Sequence, residues 1–254
     1  MTKPKAIFNW SGGKDSSLAL HKILQNGEYE IPYLVTSISE KYNRISMHGV
    51  RAELLEQQAH SIGIPLHKLV MPDWPTMETY NQMMSDALYN FKQENIHHAV
   101  FGDIFLADLR KYREEQLALA DFKGVFPLWQ LSTKQLAKEF IDLAFKAIII
   151  CVDEKHLDQS FAGREFDQHF LNDLPEKIDP CGEYGEFHTF VYDGPIFQKS
   201  LQFTKGETVY RKYVPQPKKE NDTGYACGTN THPTTGFWYC DLISASEKTL
   251  QSKI

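Results

Sequence analysis

The sequence predicts an α/β protein: a parallel, doubly wound nucleotide-binding domain followed by a smaller mixed α+β C-terminal domain. Three observations predict it. Short apolar runs alternate with helix-length periodic segments up to about residue 152. The first strand leaves through a bare polar turn, "SGGKDSS", directly into a helix. From about residue 180 that rhythm gives way to closely spaced β segments.

Residues 5–10 (KAIFNW) read as a strand and 16–26 as a helix stopping near Gly27. A second buried strand fits 32–38, and a helix over 50–61 places Val50, Leu54, Leu55 and Ala59 on one face before Gly63. A third strand is predicted at 66–70, a long helix at 77–94, and a fourth strand at 97–101 running into Gly102 and Asp103. A charged helix follows at 106–121, then "FPLW" at 126–129, a helix at 132–143 and an apolar strand at 146–152. Strands separated by helices of this length require crossovers and so a parallel sheet. Beyond residue 180, FHTFVYD, QKSLQFT and GETVYRKYV read as hairpin or edge strands, and 215–236 as a polar, turn-rich loop or lid. The domain boundary falls near residue 128, giving units 1–128 and 129–254.

Composition narrows the function classes. With 254 residues, 42% of them hydrophobic and 24% charged, the chain has ample material for a core. A net charge of −6 argues against a general nucleic-acid binder. No apolar run is long enough for a membrane span and the N-terminus carries no secretory pattern, so the expected location is the cytoplasm. Cys151, Cys181, Cys227 and Cys240 form no Cys-x-x-Cys pair and are expected to be reduced thiols. His97 and His98 read as strand-end residues, Cys227, His232 and Cys240 lack paired zinc-ligand spacing, and Lys218, Lys219 and Glu220 read as a solvated loop face.

The turn after the first strand carries the chemistry. Adjacent Gly12 and Gly13 let backbone N–H groups approach an anion without Cβ atoms in the way, and the helix N-terminus adds unpaired donors. Lys14 supplies charge; Ser11, Ser16 and Ser17 supply hydroxyls. This is no Walker loop, since Asp15 follows Lys14 and Phe8 stands where the first glycine belongs. A plain capped turn is the competing reading. A second cluster, "CGEYGEFHTFVYDGPIF" at 181–197, sets Glu183 and Glu186 among Gly182 and Gly185, ahead of His188 and Thr189. A strand starting near 186 places Glu186 and His188 on one face, a pair suited to holding a cationic or amine-bearing group or acting as base. A tight turn with a solvated Glu–His pair is the alternative.

S-G-G-x-D-S in this context resembles the PP-loop ATP pyrophosphatases. Together with GE-x-GEFHT-x-V-x-DGP-x-F it resembles the diphthine–ammonia ligase family, collinearly over roughly residues 5–200. "MHGVRAELLEQQAHSIGIPL" (47–66), "VFGDI" (100–104) and Arg110 fit the same pattern. The resemblance implies an adenine nucleotide alpha hydrolase-like fold and ATP-dependent amidation through an acyl-adenylate, with ammonia as nitrogen source and AMP and pyrophosphate as products. It implies that Ser11, Gly12, Gly13, Lys14, Asp15 and Ser16 hold ATP phosphates with Mg²⁺, Asp15 being catalytic as well. His48 and Gly49 would lie near the nucleotide, with Gly102 and Asp103 bordering the reaction. Arg110, Glu183, Gly185, Glu186, His188 and Thr189 would form the acceptor and ammonia side, Glu183, Glu186 and His188 catalytically. The implied acceptor is a carboxylate, on elongation factor 2 or on a cobalamin-related small molecule. Tyr184 stands where many members carry Asn, a departure that bears on the acceptor rather than on ATP. A homo-oligomer is compatible with the sequence. A tRNA-modifying PP-loop enzyme and a non-catalytic ATP sensor are the rival classes; the first would call for a basic groove and Cys pairs, the second has no need of Glu183, Glu186 and His188.

Overall fold

Alternation along β1 (Lys5–Asn9) decides the architecture: Ala6 and Phe8 enter one apolar cluster and Ile7 another, so the strand is covered on both faces. The computed structural model describes residues 3–45, 49–72, 75–213 and 235–245. His48 and the stretch 214–234, with Lys218, Lys219, Glu220, Cys227 and His232, lie outside the described residues.

The first half is a mostly parallel sheet. β1 pairs in parallel with β2 (Glu30–Ser39) and β5 (Ile96–Val100), β2 with β4 (Leu66–Met71), and β5 with β6 (Lys123–Val125). The two-residue β3 (Arg44–Ile45) joins β2 antiparallel. Helices α1 (Lys14–Asn26) and α2 (Ala52–Ile62) bury Leu18, Leu20, Ile23, Leu54, Leu55 and Ala59 against the Phe8 face. Helices α3 (Met77–Gln93) and α4 (Ala107–Leu119) cover the Ile7 face through Ala87, Leu88, Phe91 and Leu117. α1 and α2 end at Gly27 and Gly63, whose φ of 63° and 83° let each amide turn back to the last helical turn.

After α5 (Thr133–Asp142) comes an antiparallel sheet in the order β8-β7-β10-β9, with β7 at Lys146–Asp153, β8 at Phe187–Asp193, β9 at Phe203–Tyr213 and β10 at Thr235–Ser244. The short α6 (Gln168–Asp173) contributes Phe170 to an aromatic core with Phe140, Phe166, Phe187 and Phe190. Phe140 stacks on Phe145 at 4.9 Å. This core is continuous with the Phe8 face of the first sheet, so the two sheets share one apolar interior. Among the described residues no helix is long and apolar enough to cross a membrane.

Several expectations change. QKSLQFT and GETVYRKYV are not two strands; most of QKSLQFT precedes the single long β9, which is held from Phe203↔Ser244 to Tyr213↔Thr235 by β10. Thr235 and Gly236 belong to β10 rather than to the predicted loop. β8 starts at Phe187, so Glu186 sits on the turn before it.

β10 also ties the halves together. Asp241 receives Arg44 Nη1 at 2.9 Å, Arg51 Nη2 at 2.8 Å and Arg51 Nε at 3.3 Å. Burial works against its charge, yet the hydrogen bonds from Arg51 and Arg44 outweigh it and hold the carboxyl down at about 2. Asp241→Asn is expected to lower stability by about 1–2 kcal/mol at neutral pH, as charge-assisted bonds at a partly solvated site do. Because the folded pKa is depressed, that loss should shrink as pH falls below about 4 toward 2, which paired urea titrations of wild type and variant would read.

Candidate active site

The glycine turn is built where β1 gives way to α1. Gly12 has φ of +74°, and a Cβ there would lie 2.6 Å from Gln58 Oε1 and 2.7 Å from Leu55 Cδ2, so only glycine fits. The two serines brace the turn: Ser11 Oγ meets Ser16 Oγ at 3.0 Å and accepts Gly13 N–H at 3.3 Å, while Ser16 Oγ donates to Gly13 O at 2.9 Å. Gly102, past the carboxyl end of β5, lies against the start of α1; its Cβ would meet Asp15 C and Ser16 N at 3.1 Å.

β8 lies directly on this turn. Val191 N–H donates to Gly12 O at 2.9 Å, and Lys14 N–H to Thr189 Oγ1 at 3.0 Å. Thr189, expected on the acceptor side, therefore bonds to the glycine turn. Lys14 is buried: its Nζ donates to the Cys181 carbonyl and to Asp15 Oδ2 at 2.8 Å, between the rings of Phe166 and Phe187. Burial opposes its charge, but Asp15 above all raises its pKa.

The carboxylates of the two motifs converge. Glu183 Oε1 accepts from Ile104 N–H at 3.1 Å and Phe105 N–H at 3.3 Å, bringing the second cluster onto the loop after β5. Burial, then the nearby charge of Asp15, pushes its carboxyl up to about 7 against the help of those two amides and Lys14. Asp103 pairs with Arg113 at 2.8 Å, and burial, reinforced by Asp15, still raises its pKa. Asp15 is raised by burial despite Lys14, with Asp179 adding to the effect. Asp15, Asp103, Asp179 and Glu183 thus share one region with three cations, Lys14, Arg110 and Arg113, and burial still favours the neutral carboxyls of Asp15, Asp103 and Glu183.

The remaining expected residues divide. Glu186 is 2% exposed; its Oε1 accepts Asp179 N–H at 3.1 Å and its Oε2 accepts Tyr184 N–H at 2.9 Å, so it shapes the turn from behind. Gly185, with φ of +86° and open space around it, lets that turn close. His188 is half-buried on β8 opposite Cys151. Arg110 is held between the rings of Phe126 and Trp129, 4.5 Å from each, and bonds Glu114 at 2.9 Å. Gly49 lies under Tyr239 of β10, and its carbonyl accepts Arg44 Nη1 at 2.6 Å.

Two residues escaped the sequence reading. Arg113, the partner of Asp103, is one charge among many on a polar helix, with no local signal. Gln58 did leave one: it falls beside Leu54, Leu55 and Ala59 on the apolar stripe of α2, and it is fully buried. Its Oε1 accepts Trp10 Nε1 at 2.9 Å, and its Nε2 donates to Gly12 O at 3.0 Å and Val191 O at 2.5 Å.

As a residue whose folded pKa is raised, Glu183 favours the fold when protonated, and that contribution is lost as pH climbs from about 4.5 through about 7. Glu183→Gln keeps an acceptor for the two amides and removes the charge. Its thermal midpoint should therefore gain on the wild type steadily between about pH 5 and pH 8. A gap independent of pH would show that Glu183 is solvated like an ordinary carboxylate.

A family model described as the diphthamide synthase N-terminal domain matches residues 4–118, and one described as the diphthamide synthase C-terminal domain matches residues 132–216. A relative named diphthine–ammonia ligase from Danio rerio is 26% identical over 223 residues, covering 78% of this chain and 86% of that protein. A protein of the same name from Homo sapiens is 25% identical over 221 residues, covering 78% and 82%. The two domain models fall in order on the two sheets whose motifs meet at the glycine turn, and the chain belongs to the diphthamide synthase family.

Proposed function

We propose that the chain is an ATP-dependent acid–ammonia ligase of the diphthine–ammonia ligase type, amidating a carboxylate through an acyl-adenylate. One observation carries the reading: the glycine turn and the Glu183 loop, far apart in sequence, form a single site through Lys14, Thr189 and the Ile104–Phe105 amides. The names of the relatives supply the reaction class.

The site suits a triphosphate. The turn carries no Cβ at Gly12 or Gly13, and the amides of Asp15 and Ser16 have no carbonyl of their own helix to meet. Ser11, Gly12, Gly13, Asp15 and Ser16 would take the outer phosphates, with Lys14 acting through Asp15 and the Cys181 carbonyl. Among the described residues no three His, Cys, Asp or Glu side chains assemble into a metal cage. Mg²⁺ needs none, because it keeps waters and binds phosphate oxygens with one or two carboxylates. Asp15 and Asp103 are the proposed contributors: burial costs each its ionised form, and a bound cation would offset that cost.

In the first step a carboxylate oxygen of the acceptor attacks the α-phosphorus, the bond to the bridging oxygen breaks, and pyrophosphate leaves. In the second, ammonia attacks the acyl carbon, the bond to AMP breaks, and the nitrogen sheds a proton. Glu183, poised near neutrality at the mouth of the site, is the proposed acceptor of that proton. Glu186 holds the turn that aims it.

Purified protein given ATP and Mg²⁺ is expected to release AMP and pyrophosphate in equal amounts only when ammonium and a carboxylate acceptor are both present. Asp15→Ala should cut that turnover at least about a hundredfold while leaving the circular dichroism spectrum unchanged. ADP as the product, or full turnover by the variant, would remove the turn from the chemistry.

A further inference from the structure

The carboxamide of Gln58 links three remote parts of the chain. It is fully buried on α2, and its two ends meet three separate parts of the chain. Oε1 accepts the indole N–H of Trp10 at the end of β1; Nε2 donates to the carbonyl of Gly12 in the glycine turn and to the carbonyl of Val191 in β8. Gly12 O in turn receives Val191 N–H, so turn, strand and carboxamide close a small ring of hydrogen bonds. A buried amide with every group satisfied has one orientation, because flipping it would set Nε2 against the Trp10 N–H and Oε1 against two carbonyls.

Phosphate binding acts on this ring directly. An anion drawing on the turn's N–H groups shifts the peptide planes of Gly12 and Gly13, and the Gly12 carbonyl belongs to the Gly12–Gly13 peptide. Gln58 holds that carbonyl and β8 with the same nitrogen. Two residues before Val191 on β8 stands Thr189, which takes the Lys14 amide; the strand begins at Phe187, directly after the turn that carries Glu183 and Glu186.

We infer that Gln58 is a positioning residue that couples the nucleotide turn to β8, so that filling the turn with phosphates fixes the strand leading to the Glu183 loop. This rests on the nucleotide reading above, but not on the amidation step or on the identity of the acceptor. The conventional assignment of such a residue is a packing role alone, in which its loss would lower stability and leave the response of β8 to nucleotide unchanged.

The experiment is amide hydrogen exchange on the full chain with and without a nonhydrolysable ATP analogue, run on wild type and Gln58→Met. Methionine keeps the length of the side chain and removes both the acceptor and the donor. In the wild type, saturating analogue should slow exchange across 187–193 by at least about tenfold. In Gln58→Met, held at saturating analogue, most of that slowing should vanish, and the analogue's Kd should rise about tenfold. A folded Gln58→Met that protects β8 as fully as the wild type overturns the coupling. Should the variant fail to fold, the wild type decides through ¹⁵N-indole spectra: the Trp10 resonance, identified by its loss in Trp10→Phe, should move on binding. A bound analogue that leaves both that resonance and 187–193 exchange unmoved overturns the proposal while the nucleotide reading stands. A wild type that binds no analogue overturns both, and calorimetry tells the two cases apart.

Discussion

Everything in this protein converges on the carbonyl of Gly12. It points away from the first strand at a residue whose φ admits no side chain, and it is taken at once by the backbone of Val191 and by the carboxamide of Gln58. The approach is possible only because nothing projects from the turn. Once made, it pins the first parallel sheet, the helix beside it and β8, the edge strand of the second sheet, to a common point. The apolar interior follows suit, running unbroken from Phe8 to Phe190. A more bulky turn would separate these layers and with them the two carboxylate-bearing loops.

Electrostatics follow from that convergence. Lys14 is drawn into the junction between halves, where the Cys181 carbonyl and Asp15 receive it. The acids of both motifs are brought close enough to raise one another's pKa. Burial and that crowding together disfavour the ionised forms of these acids. At the far edge, Asp241 is arranged in the opposite sense, with Arg44 and Arg51 stabilising its charge. One end of the interface is thus settled and the other is held ready.

Much of the fold was legible because local pattern encodes it. The glycine stops at Gly27 and Gly63 end helices where expected, and the apolar stripe of α2 and the buried run of β7 declare themselves. The full extent of β9 and the whole of β10 were not, since their continuity comes from pairing with each other across a long connection. The bare glycine turn between β1 and α1 was legible as well. What covers it was not: Gly12 and Val191 are remote in sequence, and no periodicity says which strand lies on which turn. Glu183 and Glu186 show the same limit. Identical residues three apart, Glu183 accepts the amides of the loop after β5 and Glu186 those of its own turn, where Gly182 and Gly185 take positive φ. Gln58 went unread, although a glutamine on the apolar face of α2 is a mismatch that marks it.

The closure of the turn by β8 bears on how the chain matures on the ribosome. Residues 11–16 emerge with their helix, yet the strand that completes their hydrogen bonding lies 175 residues further along, counted from Lys14 to Thr189. Until Thr189 and Val191 leave the exit tunnel, the Lys14 amide and the Gly12 carbonyl lack those partners and the carboxylates of the second motif are missing. A nascent chain paused anywhere before that point carries an unfinished turn, so the site is completed late and in a single step.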